Sequence, residues 1–149
     1  MATLKSNHVL NVEVGDSVNP KGVVLAAYGK YTATADVAIN DVIQMVTIPT
    51  GAIVLGGFLR TTGTDHDAGA LLDVGWTGGD VDCFVDGADP SGQLVLTPFV
   101  EADMIASIAA AAGLGVPLAA SDTIDIIQLI AASGIASVYE VTAFYTIVI

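Results

Sequence analysis

The chain has 149 residues, 53% of them apolar and 13% charged, with 4 Lys+Arg against 16 Asp+Glu for a net charge of -12. That length suits one domain with a core of its own, and that apolar content excludes a disordered chain. So few cations argue against nucleic acid and against an anionic membrane surface as partners, since clustered Lys and Arg hold both.

The first fourteen residues contain an alternating stretch, HVLNVEV over 8–14, that ends at Gly15–Asp16. No basic segment followed by an apolar one precedes it, so it reads as an arm of the domain and not as a signal peptide. Val23–Ala35 reads as extended, broken near Gly29. Asp41–Ile48 is a strand stopped by Pro49, Thr50–Gly51 turn the chain, and Ala52–Thr62 resumes it. The paired Gly56–Gly57 inside that strand point to a bulge or a close backbone approach. A polar loop, Gly63–Gly69, leads to a strand at Ala70–Trp76 and a turn at Thr77–Asp80. Asp82–Val85 is a short strand before a turn-rich stretch, Asp86–Gly92, and Gln93–Phe99 is extended.

Asp103–Ala112 fits one short helix, with Asp103 as N-cap and Gly113 at its stop. It lies in a charge-free run, Met104–Ser121, that is 18 residues long. Gly113, Gly115 and Pro117 interrupt that run, no cation flanks it, and it reads as a buried or interface segment and not a membrane span. Asp122–Ile130 and Ser137–Ile149 read as a closing antiparallel hairpin around the small residues 131–136. The last strand is rich in aromatic and β-branched residues and should pair on both sides, because a strand of that kind at an edge invites aggregation. These signals predict one all-β domain over 1–149, with an arm over about 1–14. The fold class is a jelly-roll-like antiparallel β-sandwich with at most one short helix.

Catalytic constellations are missing from the pattern. His8 and His66 are the two histidines, and neither belongs to a His-x-His pair. There is no Gly-x-Ser-x-Gly elbow. Cys83, the single cysteine, has no neighbouring cation to activate it and reads as a small buried hydrophobe. Asp80, Asp82, Asp86 and Asp89 have the composition of a cation loop but not its spacing, and Asp and Gly are ordinary turn residues. Asp65–His66–Asp67 offers too few ligands for a closed metal site. Trp76, Phe84, Tyr28, Tyr31, Tyr139 and Tyr145 would be the makings of a sugar platform, but packing explains most of them. The expectation is therefore no catalytic residue, no cofactor and no metal.

Charge is also distributed unequally along the chain. Residues 1–60 hold all four cations, Lys5, Lys21, Lys30 and Arg60, and four acids; residues 61–149 hold twelve acids and no Lys or Arg. This allows either a solvated acidic surface or a particle with one near-neutral docking side.

Several quoted segments, taken in order over residues 36–149, carry a family likeness. Ile48–Ala52 spells I-P-x-G-A, Leu72–Gly75 spells L-D-V-G, Asp82–Gly87 spells D-x-F-V-D-G, and Asp122–Asp125 opens a strand with D-T-I-D. This order resembles small capsid decoration (cement) proteins of tailed bacteriophages. The resemblance implies a jelly roll or β-sandwich, with no catalytic residues. It further implies a homodimer or homotrimer bound to the major capsid protein on the outer surface of the head, with the host cytoplasm as the place of assembly. The near-neutral half and its arm are then the expected shell-facing side, with Leu4, Lys5, Val9, Leu10, Val12, Lys21 and Lys30 as contact candidates. Ile105, Ile108, Leu114, Val116 and Leu118 are the candidates for the contact between copies. Two other classes fit the composition: a carbohydrate-binding module of a head or tail fibre, and a cupin-like small-molecule binder.

Overall fold

The computed structural model describes residues 3–5, 24–63, 69–90, 94–99, 117–130, 134 and 136–147, with 3–5 and 94 described by their backbone alone. Nine strands lie among them: β1 (Thr3–Lys5), β2 (Leu25–Thr32), β3 (Val42–Ile48), β4 (Ala52–Thr62), β5 (Leu71–Trp76), β6 (Val85–Ala88), β7 (Leu94–Pro98), β8 (Asp122–Ile130) and β9 (Val138–Ile147). No helix occurs among the described residues. The expected helix at Asp103–Ala112 and the strand at 8–14 lie outside them.

The strands form two sheets, ordered β1-β3-β8-β5-β6 and β2-β9-β4-β7. The antiparallel pairs β2–β9, β3–β8, β4–β7 and β5–β6 are nested one inside the next and fall alternately in the two sheets. One long hairpin rolled across two layers has this pattern, and it is the jelly-roll-like sandwich expected from the strand signals. β1 is the exception, added parallel to the edge of β3 with Leu4 opposite Ile43.

Alternation along the strands places the core between the layers. Leu72, Val74, Trp76, Ile124 and Ile126 from one sheet meet Ala27, Leu59, Tyr139, Val141 and Ala143 from the other. Trp76 packs edge-on against Phe84, ring centroids 5.2 Å apart, and Phe84 stacks on Phe99 at 4.8 Å. Both arrangements are among the favoured aromatic geometries. Cys83 is buried beside them, as expected of a small hydrophobe.

Four readings of the sequence need correction. β8 and β9 are not a hairpin: β8 pairs with β3 and β5, β9 with β2 and β4, so the connection between them crosses from one sheet to the other. Both sides of each strand are taken by strands of its own sheet, β3 and β5 beside β8 and β2 and β4 beside β9. Gly29 does not break β2, whose pairing with β9 runs unbroken from Leu25 to Thr32. A Cβ at Gly29 would overlap the Met45 carbonyl of β3, so the glycine marks a close approach of the two layers. The short strand expected at Asp82–Val85 starts only at Val85, and the stretch 86–92 is not all turn, since β6 occupies 85–88. The Gly56–Gly57 pair does both things expected of it: register shifts between Val54 and Gly56, and Gly57 abuts the Phe99 ring.

Candidate functional site

Each sheet turns one face to the core and one outward, and the two outward faces differ in chemistry. On the four-stranded sheet the register sets side chains in rows. Tyr28, Thr142, Phe58 and Pro98 form one row; Lys30, Glu140, Arg60 and Leu96 form the next. Phe144 lies beyond, its ring 6.3 Å from that of Phe58. Tyr28, Phe144, Leu96 and the bulge residue Leu55 are exposed.

Glu140 sits at the centre of this face with its side chain only 11% exposed. Tyr28 donates its hydroxyl to Glu140 Oε1 at 2.6 Å, Arg60 donates from Nη1 to Oε2, and Lys30 Nζ lies 3.9 Å from Oε1. Burial alone would raise the Glu140 carboxyl, but the Tyr28 and Arg60 hydrogen bonds and the two cations outweigh it and hold the group below its ordinary value. The Tyr28 phenol moves the other way, to about 12, because burial and the adjacent Glu140 charge disfavour a phenolate. This face thus keeps a fixed carboxylate and presents two cations.

The five-stranded sheet has the opposite character. Gln44, Asp125 and Gly75 share one outward row, and Val42, Ile127 and Asp73 the next. The loop after β5 folds over this face. A Cβ at Gly75 would overlap the carbonyls of Asp80 and Val81, so glycine alone lets the loop lie that close. Asp73 and Asp125 are consequently buried. Gly87 N donates to Asp73 Oδ1 at 2.9 Å and Thr77 donates to Asp125 Oδ2, whereas Asp125 Oδ1 has no partner. Burial raises both carboxyls; the Asp82 and Asp86 charges add to it at Asp73, and the Asp122 charge at Asp125. Asp80 is raised by its hydrogen bond to Asp82, by burial and by the Asp82 charge. Among the described residues no group of three or more His, Cys, Asp or Glu is arranged to hold a metal ion. Burial, first, and the nearby Asp80 charge push the Cys83 thiol up to about 12, which leaves it unreactive.

The candidates read from the sequence are dispersed. Lys30 stands on the outer face of the four-stranded sheet. Leu4 and Lys5 lie on β1, in the other sheet. Val9, Leu10, Val12 and Lys21 fall outside the described residues, as do Ile105, Ile108, Leu114 and Val116, both histidines and the Asp65–Asp67 loop. Leu118 is buried in the chain's own core and its backbone bonds to Gly51 and Ala52, which leaves little of it for a second copy. The near-neutral half 1–60 contributes strands to both sheets, β1 and β3 to one and β2 and β4 to the other. Of the six candidate platform aromatics, Trp76, Phe84 and Tyr139 are buried and Tyr31 and Tyr145 pack against the core, which leaves Tyr28 exposed. Sequence reading missed Arg60 and Glu140 as a pair. The available signal was a single charge inside each of two otherwise uncharged strands, LRTT and YEVT.

Neither a family model nor a curated protein matches the chain. Solved structures do match by fold. A chain in the capsid of Ralstonia phage GP4 superposes with a TM-score of 0.78 at 13% identity, covering 99% of each chain. A chain in the capsid asymmetric unit of cyanophage Pam1 superposes with a TM-score of 0.67 at 21% identity, covering 89% of this chain and 90% of that one. The fold is therefore shared, over 99% and 89% of this chain, with chains from two phage capsids.

Proposed function

We propose that this chain is a structural protein of a phage virion, a decoration or cement protein that binds the outer surface of the head and bridges neighbouring subunits of its major capsid protein. The observation that carries the reading is the whole-chain likeness to a chain of a phage capsid. One feature supports it: the molecule has an outer face on which exposed apolar side chains lie beside paired charges. Such a face suits adhesion more than chemistry. In this reading the protein acts as a homodimer or homotrimer without catalysis. Each copy touches more than one shell subunit, and linked contacts that are individually modest gain from effective concentration.

The sugar-binding alternative has less support, because the aromatics it needs are mostly buried. The deciding experiment strips heads of this protein, adds it back, and measures occupancy and the temperature of genome release. Restored occupancy with a higher release temperature is expected. Equal release temperatures for bare and fully decorated heads would defeat the stabilising role.

A further inference from the structure

We infer that the outer face of the four-stranded sheet is the surface that docks on the shell, and that it takes a carboxylate-bearing patch of the shell protein around an apolar spot. This rests on the decoration reading above. The composition of the face comes first. Tyr28, Leu55, Leu96 and Phe144 are exposed there, and Leu96 is 61% exposed. Exposed aromatic and aliphatic side chains on one face with an arginine are the usual makings of a protein contact.

Charge selects the partner. The carboxylate of Glu140 is engaged by Tyr28, Arg60 and Lys30 and its side chain is 11% exposed, so it offers little negative charge outward. The Arg60 and Lys30 side chains are 43% and 47% exposed. The face therefore presents positive charge on a chain whose net charge is -12. Arg60 spends one nitrogen on Glu140, and a guanidinium has five donors in all, so an incoming carboxylate can share it. Glu140 also fixes the orientation of Arg60 before any partner arrives, which lowers the ordering cost of binding.

Area argues against a second copy as the occupant. Strands of 8, 10, 11 and 5 residues at sheet spacing make a face of about 550 Å². That is roughly two-thirds of what each partner contributes to a standard stable pair. It is enough for one of several linked contacts on a repeating shell.

The test uses the full chain added back to stripped heads, with binding followed against salt. Leu96→Asp and Leu55→Asp place an acid on the face, and Gly78→Asp places the same charge in open space on the β5–β6 loop. Each of the first two should weaken binding about tenfold, equivalent to about 1.4 kcal/mol, and Gly78→Asp should bind like the wild type. Lys30→Gln should lower affinity about two- to threefold and flatten the salt dependence. Failure of the wild type to bind would defeat the decoration reading itself. Wild-type binding with undiminished binding by a folded Leu96→Asp or Leu55→Asp would overturn this inference alone. Loss of binding with conversion of an oligomer to monomers by light scattering would assign the face to a second copy and overturn the shell as its occupant. Two aspartate variants on different strands keep the test open should one fail to fold, as judged by circular dichroism.

Discussion

The two outward faces of this sandwich share a backbone architecture and have opposite electrostatics. On the four-stranded sheet a carboxylate lies within reach of two cations and a phenol, and Glu140 is held ionised. On the five-stranded sheet Asp73 and Asp125 are buried, and the charged groups that shift them are other acids. The same burial that raises Asp73 also acts on Glu140, so burial alone does not decide the outcome. The hydrogen bonds from Tyr28 and Arg60 and the charges of Arg60 and Lys30 decide it. One face is built to keep its charge, and the other gains by losing it.

The comparison can be broken most severely at Gly75. Gly75→Ala should displace the covering loop and destabilise the protein by about 2–3 kcal/mol, the cost of forced overpacking. Urea unfolding measures this, and the emission of Trp76, the single tryptophan, should shift in the native baseline because it adjoins the loop. The other face should respond less. Arg60→Ala removes one of three partners from a largely buried carboxylate and should cost about 1–2 kcal/mol, moderated because the arginine is half exposed. Chemical denaturation of both variants at pH 7 ranks the two faces directly.

Titration sharpens the contrast further. Asp73, Asp80 and Asp125 have raised carboxyls in the folded state. The folded protein then binds more protons than the unfolded chain between those raised values and the ordinary carboxylate range, so these groups add stability as pH falls through their folded values towards that range. Glu140 is lowered, so its contribution is present above its ordinary value and is lost as pH falls through its folded one. Melting temperature should rise on mild acidification and fall again at lower pH. Asp125→Asn should flatten the rising limb. It should also stabilise the protein at pH 7 by about 1 kcal/mol, because it removes a buried charge whose Oδ1 has no partner. A melting temperature for Asp125→Asn that tracks the wild type at every pH would remove Asp125 from this account.

The smallest effect belongs to the connection between the sheets. Ala136 has φ of 72°, in the left-handed region that disfavours a Cβ. Ala136→Gly should stabilise by about 0.5–1 kcal/mol, leave the pH profile unchanged, and so serve as a control that touches neither face. Thermal melts at two pH values check it.

The sequence by itself determined the material of the fold. Alternating Val, Ile and Thr stretches bounded by Gly, Pro and Asp marked β3, β4, β5, β7, β8 and β9, because period-two burial is written locally. It also marked the bulge at Gly56, the burial of Cys83 and the need of the last strand for two neighbours. Pairing was another matter. A short connection such as 131–137 turns within a sheet or crosses between sheets with the same small residues, and only the partners on either side of β8 and β9 decide which. The site followed the same division. Residues 1–60 carry every cation, yet rolling the chain through two layers set Lys30 and Arg60 beside Glu140, residues that lie 110 and 80 positions apart from it. Charge counts along a chain are local, whereas the field at a carboxylate depends on distance in space, and that distance is fixed by the nested pairing of strands.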